Sequence, residues 1–228
     1  MSQSVVRFEL GRGAFAVNAY LVTTDLGHVL VDTGMRSHRK LIAEKLAAAG
    51  VTPASLRLIL ITHGDMDHIG SAAHFSRTYD APIAMNVGDV GMTRDGDMFS
   101  GRSSGSSAFR WIARLALRLR DEDRFVPDVE LTEDTDLAGY GLANVRVLQL
   151  AGHSTGSVAL LFDDGSLICG DLLEDRGTPK LGSIMDDVPA AERSVERLRE
   201  LEPATVYPGH GVPFEFFELE QAASPSGA

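Results

Sequence analysis

The segment from residue 63 to residue 68 holds the densest group of reactive side chains in this sequence. Two imidazoles and two carboxylates fall within six residues: His63, Asp65, Asp67 and His68. An apolar run from Leu58 to Ile61 precedes them and predicts a β-strand, so that residues two apart would point to the same side. We expect a helix to begin near Ile69. Because imidazole and carboxylate are common ligands of divalent metals, the segment predicts a metal site at a strand-to-helix junction.

Three further polar side chains follow later strand-like runs. His153 comes after the run from Val145 to Leu150, Asp171 after the run from Ser166 to Cys169, and His210 after a short apolar run. Loops at strand ends carry chemistry in layered α/β folds, so we expect these residues to join the first group. The other histidines have no such partners in sequence and are interpreted as turn or helix-surface residues: His28, His38 and His74.

The order of these residues resembles the signature of the metallo-β-lactamase superfamily, which is His-x-His-x-Asp-His followed by a later His, Asp and His. The upstream segment Val29-Leu-Val-Asp32-Thr-Gly34 also resembles the family segment whose aspartate supports the metal ligands from behind. One position departs from the signature, because Asp65 stands where the family has its second histidine. The resemblance covers nearly the whole chain, up to His210.

The resemblance implies a dinuclear metal centre supported by Asp32. The first metal would be held by His63, Asp65 and His153, and the second by Asp67, His68 and His210, with Asp171 bridging the two. Such a pair of ions lowers the pKa of a shared water towards ~7 and makes hydroxide available. Asp171 and Asp67 are the predicted catalytic residues, with Asp67 orienting the nucleophile. The implied activity is hydrolysis of a small acyl substrate, such as an ester, a thioester or a lactone.

The departure at Asp65 bears on the metal and on the reaction. Zinc is the favoured metal, and the harder carboxylate oxygen adds Mn and Fe as candidates. If Asp65 does not coordinate, His63, His153 and Asp171 form the two-histidine, one-carboxylate set of non-haem Fe(II) oxygenases. The superfamily includes persulfide dioxygenases of that kind, so a dioxygenase is the first alternative. A non-catalytic metal-binding domain is the second.

The overall composition limits the class of protein and its partners. The chain has 228 residues, of which 44% are hydrophobic, and a formal net charge of -11. This length suits one α/β domain, and the negative charge argues against nucleic acid as a partner. No signal peptide or apolar run of ~20 residues is seen, so we expect no membrane partner. The single cysteine, Cys169, is interpreted as a buried core thiol, and a chain without an internal disulfide fits a reducing cytoplasm. The expected partner is a small-molecule substrate.

Alternating strand and helix patterns predict an α/β fold. Strand-like runs alternate with helical spacing from Ser37 to Ala49, from Ile69 to Tyr79 and from Ala191 to Leu201, which indicates two sheets with helices outside. The resemblance implies, more specifically, a four-layer αββα sandwich. We expect a single domain over residues 1–218 and a flexible tail over residues 219–228.

One segment near residues 96–120 interrupts this pattern. It is rich in Gly and Ser and leads into an apolar helical pattern with a basic stripe, formed by Arg110, Arg114 and Arg118. We interpret it as an insertion that covers the active site or forms a subunit contact in a homodimer. An ordinary domain helix and a membrane-surface helix stay open as alternatives.

Overall fold

The first of two β-sheets is formed by the N-terminal half of the chain. The computed structural model describes residues 3–13, 16–100, 102 and 118–223. The strands of the first sheet lie side by side in chain order: β1 (Ser4–Leu10), β2 (Val17–Thr24), β3 (Gly27–Val31), β4 (Leu56–Leu60), β5 (Ile83–Met85) and β6 (Val129–Glu130). Strands β1 to β3 pair antiparallel, whereas β3 to β6 pair parallel. The carboxyl ends of β3 and β4 therefore lie at the same edge of the sheet.

The second sheet is formed by the C-terminal half. Its strands are β7 (Val145–Gln149), β8 (Val158–Phe162), β9 (Leu167–Asp175), β10 (Pro179–Leu181), β11 (Thr205–Gly211) and β12 (Phe214–Glu215). They are ordered β12-β11-β9-β8-β7, and β10 pairs with β9. The neighbouring strands β9 and β11 run parallel, with register irregularities around Pro208. These irregularities fall in the stretch that carries two predicted metal ligands.

Helices cover the outer faces of the two sheets. They are α1 (Arg39–Ala48), α2 (Met66–Ile69), α3 (Ala72–Tyr79), α4 (Val90–Asp95), α5 (Val188–Leu201) and α6 (Phe216–Ala223). Helix α5 begins where the Asp187 side chain accepts a hydrogen bond from the Ala190 amide, 2.9 Å away, with Pro189 in its first turn. Among the described helices, none is long and apolar enough to cross a membrane.

Three apolar layers hold these four layers of secondary structure together. Between the sheets, Val31 and Leu60 of the first sheet pack in one cluster with Leu160 of the second. On the outer face of the first sheet the core includes Ile42, Leu46, Ile59 and Phe75, and on the outer face of the second it includes Leu161, Val195, Leu198 and Leu219. The fold is therefore the α/β four-layer αββα sandwich, as predicted.

The structure corrects three local predictions. The helix expected from Ile69 is split in two, and its first part begins at Met66, so that Asp67 lies inside α2. Strand β9 continues to Asp175, well past the predicted end at Cys169, because its pairing with β11 resumes after Gly170, which turns the chain locally with a left-handed φ of 54°. The chain is also helical over residues 219–223, where Leu219 is buried, rather than a flexible tail from residue 219 onwards.

The base of the predicted insertion is closed by backbone pairing. The Leu119 amide donates to the Gly96 carbonyl at 3.0 Å, and Asp97 and Arg118 form an isolated antiparallel bridge. The basic stripe at Arg110 and Arg114, and with it the predicted helix, lies outside the described residues. Its interpretation as a cover or subunit contact stays a prediction.

Candidate metal centre

Loops and strands from both sheets bring all seven predicted ligands to one place. The loop after β4 supplies His63 and Asp65, α2 supplies Asp67 and His68, the loop before β8 supplies His153, and strands β9 and β11 supply Asp171 and His210. The centre of the His63 imidazole ring lies 4.1 Å from that of His68 and 4.5 Å from that of His153, and the ring centres of His68 and His210 are 5.6 Å apart. The site therefore lies across the two sheets, at one end of the sandwich.

The ligand atoms form two adjoining groups. One consists of His63, Asp65 and His153, and the other of Asp67, His68 and His210, and within each group the ligand atoms lie within 4.8 Å of one another. Asp171 stands between the groups. Its Oδ1 lies 3.3 Å from His68 Nε2, and its Oδ2 lies 3.3 Å from His210 Nε2 and 3.8 Å from His63 Nε2. One carboxylate thus lies within reach of both groups.

Each imidazole is held through its Nδ1 atom. His153 Nδ1 donates to the Ile184 carbonyl and His210 Nδ1 to the Ala16 carbonyl, both at 2.7 Å, and a carbonyl can only accept. His68 Nδ1 lies 2.8 Å from a carboxylate oxygen, and His63 Nδ1 lies 3.0 Å from the Thr62 hydroxyl. With the proton on Nδ1, the Nε2 lone pairs are the ones directed at the centre, as in metal-binding histidines.

Among the residues that the structure describes, three buried polar atoms at the centre have no hydrogen-bond partner. They are His63 Nε2, His68 Nε2 and Asp171 Oδ1. Buried polar atoms in proteins are nearly always satisfied, because an unsatisfied one costs roughly 1–3 kcal/mol. These three atoms belong to both groups and to the carboxylate between them, so the residues fit a pair of divalent ions.

Asp32 supports the centre from behind, as the resemblance implied. It follows β3 in a left-handed conformation, with a φ of 58°, which is uncommon for a residue other than Gly. Its carboxylate accepts from the Thr62 amide at 2.9 Å, the Thr62 hydroxyl at 2.7 Å and His68 Nδ1 at 2.8 Å. Because the Thr62 hydroxyl donates to Asp32, it is free to accept from His63 Nδ1. A single carboxylate thus orients two imidazoles.

Asp89 links the two loops that carry the first group, and sequence reasoning missed it. Its fully buried carboxylate accepts from the Gly64 amide at 2.8 Å, the Ser154 hydroxyl at 2.6 Å and the Gly156 amide at 2.8 Å. Gly64 precedes Asp65, and Ser154 follows His153. No local pattern in the sequence marks this residue, since it follows a short strand as an ordinary acidic side chain.

Arg102 is the second residue that sequence reasoning missed. Its guanidinium is buried against the first group, with Nη1 at 2.5 Å from Asp65 Oδ1 and Nε at 2.7 Å from Asp186 Oδ2. Nη2 donates to the His153 carbonyl at 3.3 Å. The only sequence signal was its place in the Gly- and Ser-rich segment, which favoured exposure rather than burial.

The pKa values of the ligands reflect their mutual charges. Burial lowers the pKa of His63 well below its ordinary value, and the neighbouring His68 and His153 lower it further. For His153, burial acts in the same direction, but the hydrogen bond and charge of Asp65 outweigh it and raise the pKa to about 9. Burial is likewise outweighed at His210, where Asp171 and Asp67 raise the pKa to about 10. Metal ions must therefore displace protons here.

A small cavity gives access to the centre. It has a volume of about 60 Å³ and is lined by His153, Asp171, His210, Ser183 and Ile184, among others. Of the carboxylates at the centre, Asp67 is the most accessible, with 26% of its side chain exposed against 12% for Asp171 and 9% for Asp65. Among these carboxylates, solvent therefore reaches Asp67 most readily.

The other histidines and the cysteine lie apart from these groups. His28 is on β3, His74 is on α3, and His38 lies in the short 3-10 helix before α1, where its Nδ1 accepts from the Met35 amide at 3.2 Å. Cys169 is buried, which raises the pKa of its thiol to about 12 and keeps it protonated near neutral pH. The thiol is thus a core side chain rather than a nucleophile, as predicted.

Comparison with known proteins identifies the family of this chain. A family model described as the metallo-beta-lactamase superfamily matches residues 12–210. The probable metallo-hydrolase YqgX of Bacillus subtilis (strain 168) is 28% identical over 202 residues, covering 87% of each chain. The hydroxyacylglutathione hydrolase of Anaeromyxobacter dehalogenans (strain 2CP-C) is 29% identical over 210 residues, covering 92% of this chain and 67% of that relative.

Another relative is longer than this chain. The beta-lactamase-like protein 2 homolog of Drosophila melanogaster is 26% identical over 85% of this chain, and the match spans 58% of that relative. Among solved structures, TTHA1623 in a di-iron-bound form superposes with a TM-score of 0.70 at 30% sequence identity, covering 96% of this chain and 98% of that one. The match thus extends over nearly the whole sandwich.

Proposed function

Because this chain belongs to the metallo-beta-lactamase superfamily, we propose that it is a metal-dependent hydrolase acting on small acyl substrates, namely esters, thioesters or lactones. The observation that carries the proposal is a set of buried atoms at the centre with no hydrogen-bond partner in the described part of the chain: His63 Nε2, His68 Nε2 and Asp171 Oδ1. Divalent ions bound there would supply an activated water at neutral pH. A relative named hydroxyacylglutathione hydrolase supports thioesters as one substrate class.

The residues of the chain have separate tasks in this proposal. Asp171 would hold both ions, because its Oδ1 lies 3.3 Å from His68 Nε2 of the second group and its Oδ2 lies 3.8 Å from His63 Nε2 of the first. Asp67 would orient the attacking water, since it is the most exposed of the carboxylates and its Oδ2 lies 3.3 Å from His210 Nε2. The Asp32 carboxylate keeps the His68 ring aligned at 2.8 Å. The cavity lined by Asp171 and His210, with a volume of about 60 Å³, has room for the attacking water.

The metal we propose is a pair of zinc ions, with iron or manganese as the competing choices. Four imidazole nitrogens suit zinc, whereas the oxygen of Asp65 shifts the preference towards harder ions. The di-iron form of TTHA1623 supports iron as one of these choices. Metal analysis of untagged protein, purified both in air and under nitrogen, would identify the ions that it retains.

A dioxygenase is the alternative if Asp65 stays outside the coordination sphere. Its Oδ2 lies 3.0 Å from His153 Nε2 and 3.9 Å from His63 Nε2, so the oxygen is placed among the ligand atoms. This placement favours the hydrolase. A hydrolase also needs no redox-active ion, so activity of zinc-loaded protein distinguishes the two reactions.

The test combines defined metals with a substrate panel. Protein loaded with zinc, iron or manganese should hydrolyse at least one ester, thioester or lactone, and Asp171→Asn should lose both turnover and metal. Asp25→Asn, in an exposed turn, is the matched control and should change neither. Oxygen uptake with a persulfide and no hydrolysis would support the dioxygenase. Tight metal binding without turnover on any substrate would support a non-catalytic metal-binding domain.

The partners of the protein and its location in the cell are also part of the proposal. The predicted partners are a small-molecule substrate and a second copy of the chain in a homodimer, with neither nucleic acid nor membrane. A cytoplasmic location is supported by the single buried thiol of Cys169, which forms no internal disulfide. Size-exclusion chromatography with light scattering measures the oligomeric state directly.

A further inference from the structure

The guanidinium of Arg102 is buried at the corner of the metal centre where the chain departs from its family. Only 6% of its side chain is exposed. Nη1 lies 2.5 Å from Asp65 Oδ1, Nη2 donates to the His153 carbonyl at 3.3 Å, and Nε lies 2.7 Å from Asp186 Oδ2. Nη2 is also 3.5 Å from His153 Nε2, so the cation stands next to a metal-ligating atom. Among the described residues, three groups thus hold this positive charge beside the first group of ligands: Asp65, Asp186 and the His153 carbonyl.

The two oxygens of Asp65 have different partners. Oδ1 binds Arg102, while Oδ2 faces the imidazoles, at 3.0 Å from His153 Nε2 and 3.9 Å from His63 Nε2. Asp65 therefore offers a single oxygen to a metal, as an imidazole offers a single nitrogen. A carboxylate without Arg102 could rotate and present both oxygens.

The charges of the two side chains offset one another. An imidazole ligand is neutral, whereas a carboxylate adds one negative charge, and the Arg102 guanidinium places a positive charge at hydrogen-bond distance from that carboxylate. The Asp65–Arg102 pair by itself then matches an imidazole in net charge and in number of ligand atoms, and Asp186 adds a further negative charge on the far side of the guanidinium. Asp186, with 15% of its side chain exposed, anchors the guanidinium independently of Asp65.

We propose that Arg102 is a positioning residue for the first metal and that Asp65 and Arg102 act as one unit, replacing the missing histidine. The proposal rests on the metal binding proposed above and goes beyond it. Changing one member of the unit is then harmful, whereas changing both restores an ordinary ligand set. In Asp65→His alone, Arg102 stays on Asp186, donates to the new imidazole and repels the incoming ion. In Asp65→His with Arg102→Met, the imidazole lone pair is free.

The test is a double-mutant cycle that measures metal binding rather than turnover. Zn²⁺ affinity is obtained by competition with a chromophoric chelator, and metal content after dialysis is obtained by mass spectrometry. Co²⁺ titration adds a visible spectrum that reports the ligands at each site. In the wild-type background, we expect Asp65→His to lower the Zn²⁺ affinity of the first metal site roughly tenfold. This is the size of effect typical of groups that orient metal ligands. In the Arg102→Met background the same change should raise this affinity roughly tenfold.

Further variants test whether the coupling between Asp65 and Arg102 depends on the positive charge and whether it is a side effect of poor folding. Arg102→Lys keeps the charge, so Asp65→His should weaken binding in that background as in the wild type. Arg197→Met breaks another Arg–carboxylate pair, to Glu133, and should leave the effect of Asp65→His unchanged. Thermal unfolding of the metal-free proteins checks that each variant folds. If Arg102→Met does not fold, Arg102→Gln provides a second background without the positive charge.

The possible results distinguish this inference from the proposed function. If wild-type protein binds no Zn²⁺, the proposed metal centre fails, and this inference fails with it. If wild-type protein binds about two ions but Asp65→His has the same effect with and without Arg102, the proposed function survives. Arg102 would then be a structural ion pair, and the inference is overturned. Opposite signs in the two backgrounds establish the unit.

Discussion

Gly209 shows how little free space the metal centre leaves around its ligands. A Cβ atom built at this position would overlap Asp171 Oδ1 and would lie 2.8 Å from His68 Cε1. Neither neighbour can move without displacing a ligand atom. We expect Gly209→Ala to weaken metal binding roughly tenfold or more, as displacement of metal ligands or their supports commonly does. Metal content after dialysis measures this effect.

Gly139→Ala is the matched control for that prediction. A Cβ atom at Gly139 would have open space, with nothing within 4 Å. Its metal content should equal that of the wild type. Unchanged metal content in Gly209→Ala as well would show that β11 shifts to accommodate a methyl group.

Asp89 offers a second prediction for a single residue. Its two oxygens accept three hydrogen bonds from the loops that carry Asp65 and His153. Asp89→Asn replaces one oxygen by a donor, which would face an amide or a hydroxyl donor. Because the site is fully buried, we expect a loss of about 1–3 kcal/mol in the free energy of unfolding. Urea denaturation of metal-free protein measures it.

The control for Asp89→Asn is the same substitution at Asp80. Asp80 ends α3 in a left-handed conformation, with a φ of 53°, and Asn accepts that conformation readily. Its stability should change little. Equal losses in the two variants would mean that the effect comes from the charge change rather than from the hydrogen bonds between the loops.

For individual residues, the sequence predicted the metal ligands well, but it predicted poorly the residues that hold those ligands in place. Ligands such as His63 and His153 were recognisable because the chemistry restricts the residue type and the spacing follows strand ends. Asp32 was found only through the family resemblance. Asp89 and Arg102 act through contacts with residues at least 25 positions away, and such contacts leave no local pattern.

Strands β9 and β11 show a limit of prediction at the level of elements. The sequence ended a strand at Cys169, because Gly170 and Asp171 are poor strand residues. In the structure the strand continues, and Gly170, with a φ of 54°, turns the chain locally without ending the pairing. Two ligands therefore lie inside paired strands, which is a rigid placement. Where a strand ends is decided here by its pairing with the neighbouring strand rather than by the strand propensity of single residues.

The insertion near residues 96–120 gives a prediction about an element. Its base is tied at Gly96 and Leu119, and Arg102 reaches the metal centre from it. We expect that replacing residues 104–116 by a Gly-Ser linker of about six residues leaves the fold and metal content intact, because both ties remain. The KM for active substrates should change if the segment covers the cleft. Circular dichroism, metal analysis and steady-state kinetics test the three expectations.

A longer excision is the control for this experiment. Removing residues 101–117 also removes Arg102, so it should alter Zn²⁺ affinity as well as KM. Unfolding of the shorter excision would show that the segment belongs to the structural core. Unchanged kinetics would show that it lies away from the cleft.

At the scale of the whole molecule, the centre connects the two sheets. His63 follows a strand of the first sheet, whereas Asp171 and His210 lie on strands of the second. The layered architecture was predictable, because alternating strand and helix patterns recur in both halves and the family resemblance adds the αββα order. The exact pairing of β9 with β11 was not, since it depends on long-range register. Ions bound at this position would hold the two sheets together.

Metal binding should therefore stabilise the fold in a way that depends on pH. Free metal at about 100 times its Kd would add roughly 2.7 kcal/mol to the free energy of unfolding. In the metal-free protein, the pKa of His153 is raised from its ordinary value of 6.5 to about 9, and that of His210 to about 10. A raised pKa contributes stability that is fully present below pH 6.5 and is lost as the pH rises through 9 and 10.

Metal has the opposite preference, because it binds the deprotonated imidazoles and competes with those protons. We therefore expect the increase in Tm produced by a fixed Zn²⁺ concentration to be larger at about pH 8.5 than at about pH 6.5, while metal-free protein loses stability over the same interval. Differential scanning fluorimetry with zinc and with a chelator measures both curves. His210→Gln removes one of the two proton-binding groups, so it should reduce the pH dependence of the zinc effect. An increase in Tm that is equal at both pH values would contradict binding at these imidazoles. A pH difference that is smaller in His210→Gln than in the wild type would place one of the competing protons on the His210 ring.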